Sequence, residues 1–551
     1  MASLYKEKRF YNFREIILNG AEKFADNTAY VVKKGEGEYI NIKYADLKKY
    51  YYSFCTYLIE KGMLGQKIAV MGANSFQWAL SYLCAATVGV VVPIDKELQP
   101  EDVNAFLESA DCKMVCTDST RIEKLKGIAD ENIQYTDFAD VLDIASSHKA
   151  DESAVNAIEI GKDEIRIIIF TSGTTGNSKG VCLSQHNICS NIYSTVQMVK
   201  VNDFDSTLSI LPLHHTYECT LNNVLFLTRG ACITYCDGLT KVAKNIAEYQ
   251  PSILVVVPAL LKVLNKRIKA GIIKDCPSLF RKYFETMSLA DALKKCPFII
   301  RKVICKKVKK TLGGKIRLFI VGAADLDTSL VEDFGALGIR TLQGYGLTEC
   351  APLLAGNNDF HLNKASTGPA IPDVQLKIDD PNDEGVGEIL AKGDNIMLGY
   401  YNDPEATEAV FRDGWFCTGD LGCIDSNGDL YIKGRIKNVI VTENGKNIYP
   451  EELETRLSEY PEIGEALVYA SDENGETCVK AKIFPNIEYI KERFGGEKPS
   501  EEEIKKTIQN AIKSVNSKIP NYKHIKIVEV LSSALEKTTT QKIKRFGKNV
   551  K

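Results

Sequence analysis

Thr171-Ser-Gly-Thr-Thr-Gly-Asn-Ser-Lys-Gly180 follows directly on the strand-like run 165–170. A buried strand ending in Ser, Thr and Gly with one lysine suits a polyphosphate. Glycines let backbone N–H groups approach, hydroxyls donate further hydrogen bonds, and the lysine supplies charge. A Walker A loop, GxxxxGK[ST], has glycine immediately before its lysine. Here Ser178 precedes Lys179 and Gly180 follows it, so a P-loop NTPase is excluded. Composition alone would also allow a flexible surface loop; the position directly after a buried strand argues against one.

Outward from this loop, short apolar runs alternate with helical stretches. Strands are expected at 67–72, 89–94, 113–117, 165–171, 252–258 and 316–322. Helices are expected at 75–88, 100–110 and 186–199. Strands and helices at this spacing imply βαβ units and a parallel sheet. The apolar stretch 78–94 is short, interrupted by small and polar residues, and broken at Pro93, so it reads as a helix followed by a strand rather than a membrane span. The C-terminal part differs. A strand pair is expected over 431–442 around Gly434-Arg435, then a helix at 450–458, strands at 466–470 and 477–484, and a helix at 501–517. Residues 487–503 read as a charged, solvated insertion. The expected fold class is therefore α/β, with a large N-terminal domain of βαβ-type sheets (1–434) and a small α+β C-terminal domain (435–551), its boundary near 434–437.

Composition agrees with a globular chain and excludes some partners. At 551 residues the protein is too long for one core, and roughly three or four domain-sized units are expected. A net charge of -3 from 69 basic and 72 acidic residues gives no overall reason to expect nucleic acid. The sixteen cysteines are scattered without a CxxC pair. The pairs Cys112/Cys116 and Cys232/Cys236 lie in apolar, strand-like runs with no histidine nearby, and read as buried thiols rather than zinc ligands. The charged N-terminus carries no signal peptide, so a cytoplasmic protein with reduced thiols is expected.

At the 171–180 loop the sequence resembles the signature of the adenylate-forming superfamily, which includes acyl-CoA synthetases, luciferases and the adenylation domains of peptide synthetases. Further motifs follow in the family's order over roughly 25–545. Leu211-Pro-Leu-His-His-Thr-Tyr-Glu218 resembles the substrate-side motif, Val321-Gly-Ala-Ala-Asp-Leu326 the adenine loop, and Gln343-Gly-Tyr-Gly-Leu-Thr-Glu349 the segment holding nucleotide and magnesium. Asp413-Gly-Trp-Phe-Cys-Thr-Gly-Asp420 and Tyr431-Ile-Lys-Gly-Arg435 resemble the ribose and hinge segments, and Thr538-Thr-Thr-Gln-Lys-Ile-Lys-Arg545 the terminal lysine motif. The resemblance is strongest to bacterial long-chain fatty acyl-CoA synthetases and implies their fold, whose small C-terminal domain is mobile.

Joining a carboxylate to the α-phosphate of ATP brings two anions together, so the site must supply positioning and charge. Thr171, Ser172, Gly173, Thr174, Thr175 and Lys179 are assigned to the β- and γ-phosphates. By resemblance, Thr348 contacts the α-phosphate and Glu349 binds Mg2+, a hard cation suited to a carboxylate. Gly322, Ala323 and Ala324 are small enough for a planar base to lie against backbone, with Gly344 and Tyr345 beside it and the Tyr345 ring as a stacking face. Taken alone, Gly-Ala-Ala after a strand is only a tight turn. The resemblance further implies that Asp420 accepts from the ribose hydroxyls, that Arg435 contacts ribose and phosphate, and that Lys542 stabilises charge on the α-phosphate. A lysine in a basic tail is otherwise a solvated charge.

The resemblance also places His215 between the carboxylate and thiol sites. His214 and His215 could suggest a metal, but adjacent side chains diverge and no third ligand is evident. In the second half-reaction the family's C-terminal domain turns about a residue matching Lys437 and presents the 441–447 loop to the thiol's pantetheine arm. Two departures stand out: the family usually has Pro at Ser178 and Gly at Gln541, and neither change removes a charged or hydrogen-bonding group.

The resemblance implies ATP, Mg2+ and coenzyme A as co-substrates and cofactor, and a long- or medium-chain fatty acid as substrate. Acyl carrier protein as the acceptor and an aryl or other carboxylate as the acid remain alternatives. A catalytically silent nucleotide-binding protein is the rival of a different class, disfavoured by retention of Lys542, Glu349, Asp420 and Arg435. Residues 223–227 and 255–264 are apolar enough to line an acyl pocket, and equally ordinary core. Residues 294–317 carry ten basic residues and no acid, interleaved with Phe298, Ile299, Ile300, Val303, Ile304 and Val308. They read either as a solvated basic helix or as a peripheral contact with an anionic membrane face.

Overall fold

The computed structural model describes residues 4–171, 178–441, 446–473, 476–494, 496, 499–537, 543–545 and 549. By packing, the chain forms two units: Met1–Leu376 with Ala391–Phe416, and Lys377–Leu390 with Cys417–Lys551. The expected boundary at 434–437 falls inside the second.

The first unit carries two large sheets. One has seven strands in the order Gly399–Tyr400, Lys179–Leu183, Ile167–Thr171, Val90–Ile94, Lys67–Met71, Cys112–Thr117, Gln134–Asp137. The other has eight, in the order Leu353–Gly356, Arg340–Gly346, Leu318–Val321, Ile253–Val256, Ser206–Ser209, Cys232–Tyr235, Thr28–Gly35, Glu38–Lys43. The central strands run parallel, as the alternating pattern implies. The helix Phe76–Val88 explains how the sheets are joined. Ser75 caps it by accepting from the Trp78 N–H, and every one of its residues is buried except Gln77. A helix that is apolar nearly all round needs cover on both sides. It shares one core with Tyr44–Glu60, Gln185–Met198 and residues of both sheets, including Ile68, Val70, Tyr30 and Ile233. A second core lies under the helices Pro258–Asp275, Ser278–Thr286, Leu289–Lys295 and Phe298–Thr311.

The second unit holds an antiparallel pair, Trp415–Ile424 with Leu430–Arg435, of which residues from Cys417 onward belong to it. It also holds a three-stranded sheet of Ile463–Glu473, Glu476–Pro485 and Ile525–Val530. The helices Pro450–Ser458 and Glu501–Asn516 cover that sheet through Leu453, Leu457, Ile508 and Ile512. Two expectations are corrected here. Gly434-Arg435 does not turn a hairpin: Gly434 pairs with Leu421 and Arg435 with Asp420, so this strand's partner lies upstream. Residues 487–503 are not simply solvated, because Ile487–Arg493 is helical and buries Ile490 in full. Among the described residues, no helix is long and apolar enough to cross a membrane. The cysteines of both CxxxC pairs are free thiols in or beside strands, with Cys112 and Cys116 buried.

Candidate active site

Strand register sets the first part of the site. Leu318–Val321 lies between Ile253–Val256 and Arg340–Gly346, with Val321 opposite both Val256 and Gln343. The Gly322-Ala-Ala loop therefore leaves its strand beside Gly344 and Tyr345, at the C-terminal edge where open α/β sheets bind ligands. Ala323 takes a left-handed conformation (φ 69°), and a Cβ on Gly346 would meet the Pro352 carbonyl oxygen at 1.9 Å. Backbone is thus packed against backbone along this edge.

Tyr217 fastens the histidine motif to the same edge. Its hydroxyl donates toward the Ile320 and Val256 carbonyls (3.1 and 3.2 Å), and its ring would touch any side chain placed on Gly322. Upstream, Asn74 accepts from the Leu213 N–H (3.1 Å) and donates to the Leu211 carbonyl (2.7 Å) and to Ser209 Oγ (3.0 Å). Between these anchors His215 begins the short helix Thr216–Glu218, with its N–H on the Pro212 carbonyl. The His214 ring centroid lies 4.1 Å from that of His215. Burial, aided by the nearby Lys96, lowers the His214 pKa to about 3, so this imidazole is neutral at ordinary pH. No group of three or more His, Cys, Asp or Glu able to hold a metal occurs among the described residues.

Tyr400 makes the second junction. Its hydroxyl donates to Glu349 Oε1 (3.1 Å), and the Lys179 ammonium lies 4.7 Å from its ring centroid. Lys179 in turn pairs with Thr171, whose hydroxyl reaches the Lys179 carbonyl (3.4 Å). Glu349 follows Thr348 in the 3-10 turn Thr348–Cys350, and its backbone carbonyl accepts from Met397 N–H (2.8 Å). A single partly buried carboxylate held by a neutral phenol fits Mg2+, which takes one or two protein carboxylates and completes its shell with water and phosphate oxygens. The first unit thus brings together Thr171, Lys179, His215, Gly322, Ala323, Ala324, Gly344, Tyr345, Thr348 and Glu349. Ser172, Gly173, Thr174 and Thr175 lie outside the described residues.

In the second unit, Arg435 Nε is 2.9 Å from Asp420 Oδ1 across the paired strands, and Asp420 is nearly buried. Gly434 makes room for the Glu451 carboxylate, which a Cβ there would meet at 2.6 Å. Lys437 lies in the 3-10 turn Ile436–Asn438, whose Asn438 donates to Glu451 (2.6 Å). Lys542 lies outside the described residues. Its flanks are held: Lys537 forms a β-bridge with Ile543, and Arg545 pairs with Glu454 and donates to the Val468 carbonyl (3.1 Å).

Residues 18–401 match the AMP-binding enzyme family. The chain belongs to that family. It is an ATP-dependent, AMP-forming acid–thiol ligase. Among its curated relatives, long chain acyl-CoA synthetase 1 of Arabidopsis thaliana is 27% identical over 94% of this chain and 87% of the relative. The long-chain-fatty-acid–CoA ligase FadD13 of Mycobacterium tuberculosis is 30% identical over 73% of this chain and 75% of its own length. The fold is that of the solved ATP-bound MatB from Rhodopseudomonas palustris, at TM-score 0.76 and 23% identity with 97% of each chain covered.

Three residues of this AMP-binding enzyme were not legible as site residues. Tyr217 lay inside a quoted motif without a role. Asn74 and Tyr400 carried no pattern, since each acts only once distant strands are adjacent. The proposed acyl-lining runs are mixed: Val224, Leu225, Phe226 and Leu227 are buried core, whereas Val263 is half exposed. The 219–224 turn is a π-helix, and its Asn223 Oδ1 accepts from the Tyr30 and Tyr235 hydroxyls (3.1 and 3.3 Å).

Proposed function

We propose that the protein is a long- or medium-chain fatty acid–CoA ligase. The fatty-acid carboxylate attacks the α-phosphorus of ATP, pyrophosphate leaves, and an acyl-adenylate forms. The thiol of coenzyme A then attacks the acyl carbonyl and AMP departs. The reading is supported by two junctions in the first unit: Tyr217 ties the histidine motif to the small-residue loop at the edge of the eight-stranded sheet, and Tyr400, from the seven-stranded sheet, ties Lys179 to Glu349.

In this scheme Thr171, Ser172, Gly173, Thr174, Thr175 and Lys179 hold the β- and γ-phosphates, and Thr348 the α-phosphate. Gly322, Ala323, Ala324, Gly344 and Tyr345 receive the adenine; Asp420 and Arg435 receive the ribose. Mg2+ bound at Glu349 would offset phosphate charge. Lys542 stabilises the charge that grows on the α-phosphate, His215 borders the acyl and thiol paths, and Lys437 is the pivot between the two half-reactions. Both curated relatives described above are long-chain acyl-CoA synthetases or ligases by name, which favours a fatty acid over an aryl acid.

Pyrophosphate release measured across acids of increasing chain length, with coenzyme A or acyl carrier protein as acceptor, tests the scheme. Turnover should rise toward medium and long chains and depend on coenzyme A. Faster turnover with aryl acids, or with carrier protein in place of coenzyme A, would overturn it.

A further inference from the structure

One stretch of the chain carries a strongly uneven charge. From Lys262 to Arg317 there are seventeen Lys and Arg residues against three acids, Asp275, Glu285 and Asp291, although the whole protein carries a net charge of -3. Two of those acids are already engaged, Asp275 with Lys307 (2.8 Å) and Asp291 with Lys294 (2.9 Å). Fifteen of the seventeen sit on four consecutive helices that cover one face of the eight-stranded sheet, while Arg317, beyond them, is paired with buried Asp205.

The helix Phe298–Thr311 has two apolar faces where one would suffice for folding. Ile300, Ile304 and Val308 pack inward on the core. Phe298, Ile299 and Val303 point the other way and are 66%, 75% and 61% exposed, and Leu279 on a preceding helix is 77% exposed. Ile299 and Val303 are one helical turn apart and so share a face. Arg301 lies 5.6 Å from the Phe298 ring, and Lys302 and Lys306 are exposed beside Val303. A nucleic-acid surface would meet the lysines and leave these aliphatic side chains in water. An anionic lipid surface takes both: cations sit at the headgroup level while Phe, Ile and Val enter the acyl boundary. Such a contact is interfacial, since among the described residues no helix is both long and apolar enough to cross a membrane.

We propose that the outer face of Phe298–Thr311, with its basic surround, docks the protein on anionic membrane surfaces. The surface does not depend on which acid the active site uses, so its test can fail without affecting the ligase reading.

The test is sedimentation of the full chain with vesicles of phosphatidylcholine alone and of phosphatidylcholine with about one-third phosphatidylglycerol, at low and at 0.5 M salt. Binding is expected to the anionic vesicles at low salt and to fall at high salt, where charges are screened beyond ~3–5 Å. One variant removes the apolar anchors (F298S, I299S, V303S), and the other reverses charge (K302E, K306E). Each should weaken vesicle binding by about tenfold or more. Pyrophosphate release in vesicle-free solution should be unchanged in both, showing that the fold is intact. Equal binding to neutral vesicles would overturn the proposal, as would variants that bind like the wild type. So would duplex DNA or RNA binding that needs only the lysines while vesicles fail to bind.

Discussion

Glu218→Gln retains the shape of a fully buried side chain and removes its proton equilibrium. Glu218 ends the histidine motif, and its Oε1 accepts from the Asn222 amide (2.6 Å). Oε2 is buried without a hydrogen-bond partner. Burial pushes the carboxyl from 4.5 to about 8, and nearby groups (the Ser209 hydroxyl, the Asn222 amide and the Ile210 N–H) offset only part of that push. The folded protein therefore holds a proton that the unfolded chain releases. The associated stability is fully present below about pH 4.5, is lost as pH rises toward about 8, and changes no further above it. Each tenfold change in proton affinity is worth ~1.4 kcal/mol, so the full swing is roughly 5 kcal/mol. The glutamine variant has no such slope. Both tryptophans, Trp78 and Trp415, belong to the first unit along with Glu218, so their fluorescence in urea reports the relevant unfolding. Glu454, also raised by burial, lies in the second unit and does not contribute to that signal. Between pH 5 and 9 the variant should gain several kcal/mol relative to the wild type, as a difference in which other titrating groups cancel. Parallel profiles would refute the buried, protonated carboxyl.

Three further outcomes concern catalysis. Tyr400→Phe keeps the ring against Lys179 and removes the hydroxyl from Glu349. A hydrogen bond to a charged group is worth about 1.5–3 kcal/mol, so kcat/KM for pyrophosphate release at limiting Mg2+ should fall about 10- to 100-fold; an unchanged value would remove Tyr400 from the site. Gly346→Ala places a Cβ 1.9 Å from the Pro352 carbonyl oxygen, so the sheet edge must part, and both acid activation and the thermal midpoint should drop; wild-type activity in this variant would refute the close packing. Lys542→Ala should abolish acid-dependent pyrophosphate release while equilibrium ATP binding stays within a few-fold, and release at the wild-type rate would sink its assignment.

The βαβ units were legible because buried parallel strands are continuous apolar runs, and because Ser75 and Pro100 mark helix starts where the structure has them. The expected strands at 67–72 and 113–117 are observed as Lys67–Met71 and Cys112–Thr117. Strand pairing was less legible. Nothing local to Gly434 shows that its partner is Leu421 rather than a residue just downstream. The division into an eight- and a seven-stranded sheet was hidden for the same reason, since Thr28–Gly35 pairs with Cys232–Tyr235 across about two hundred residues. Motif residues could be named one by one, but Asn74, Tyr217 and Tyr400 emerge only from that pairing.

The choice of clamps follows from the chemistry the site has to perform. A pocket for ATP and a carboxylate must offer positive charge to anions and one carboxylate to a cation, and any direct acid–base pair between those groups would cancel both. Lys179 and Glu349 avoid that loss through Tyr400. The cation rests on the ring face, the carboxylate accepts from the hydroxyl, and among the described residues neither forms a salt bridge. The aromatic ring positions the lysine without neutralising it, at a cost in binding of ~1 kcal/mol or less when an anion draws it away. In the second unit, Arg435 and Asp420 face each other directly at 2.9 Å. In the proposed scheme a ribose hydroxyl donates to Asp420 with that pair in place, because it brings no charge of its own, whereas a phosphate at Lys179 requires an uncompensated cation. Tyr400→Phe separates these requirements: it should leave the affinity for ATP in the absence of metal close to wild type and weaken only the Mg2+-dependent step. A variant equally impaired with and without Mg2+ would mean that the tyrosine supports the fold rather than the charge arrangement.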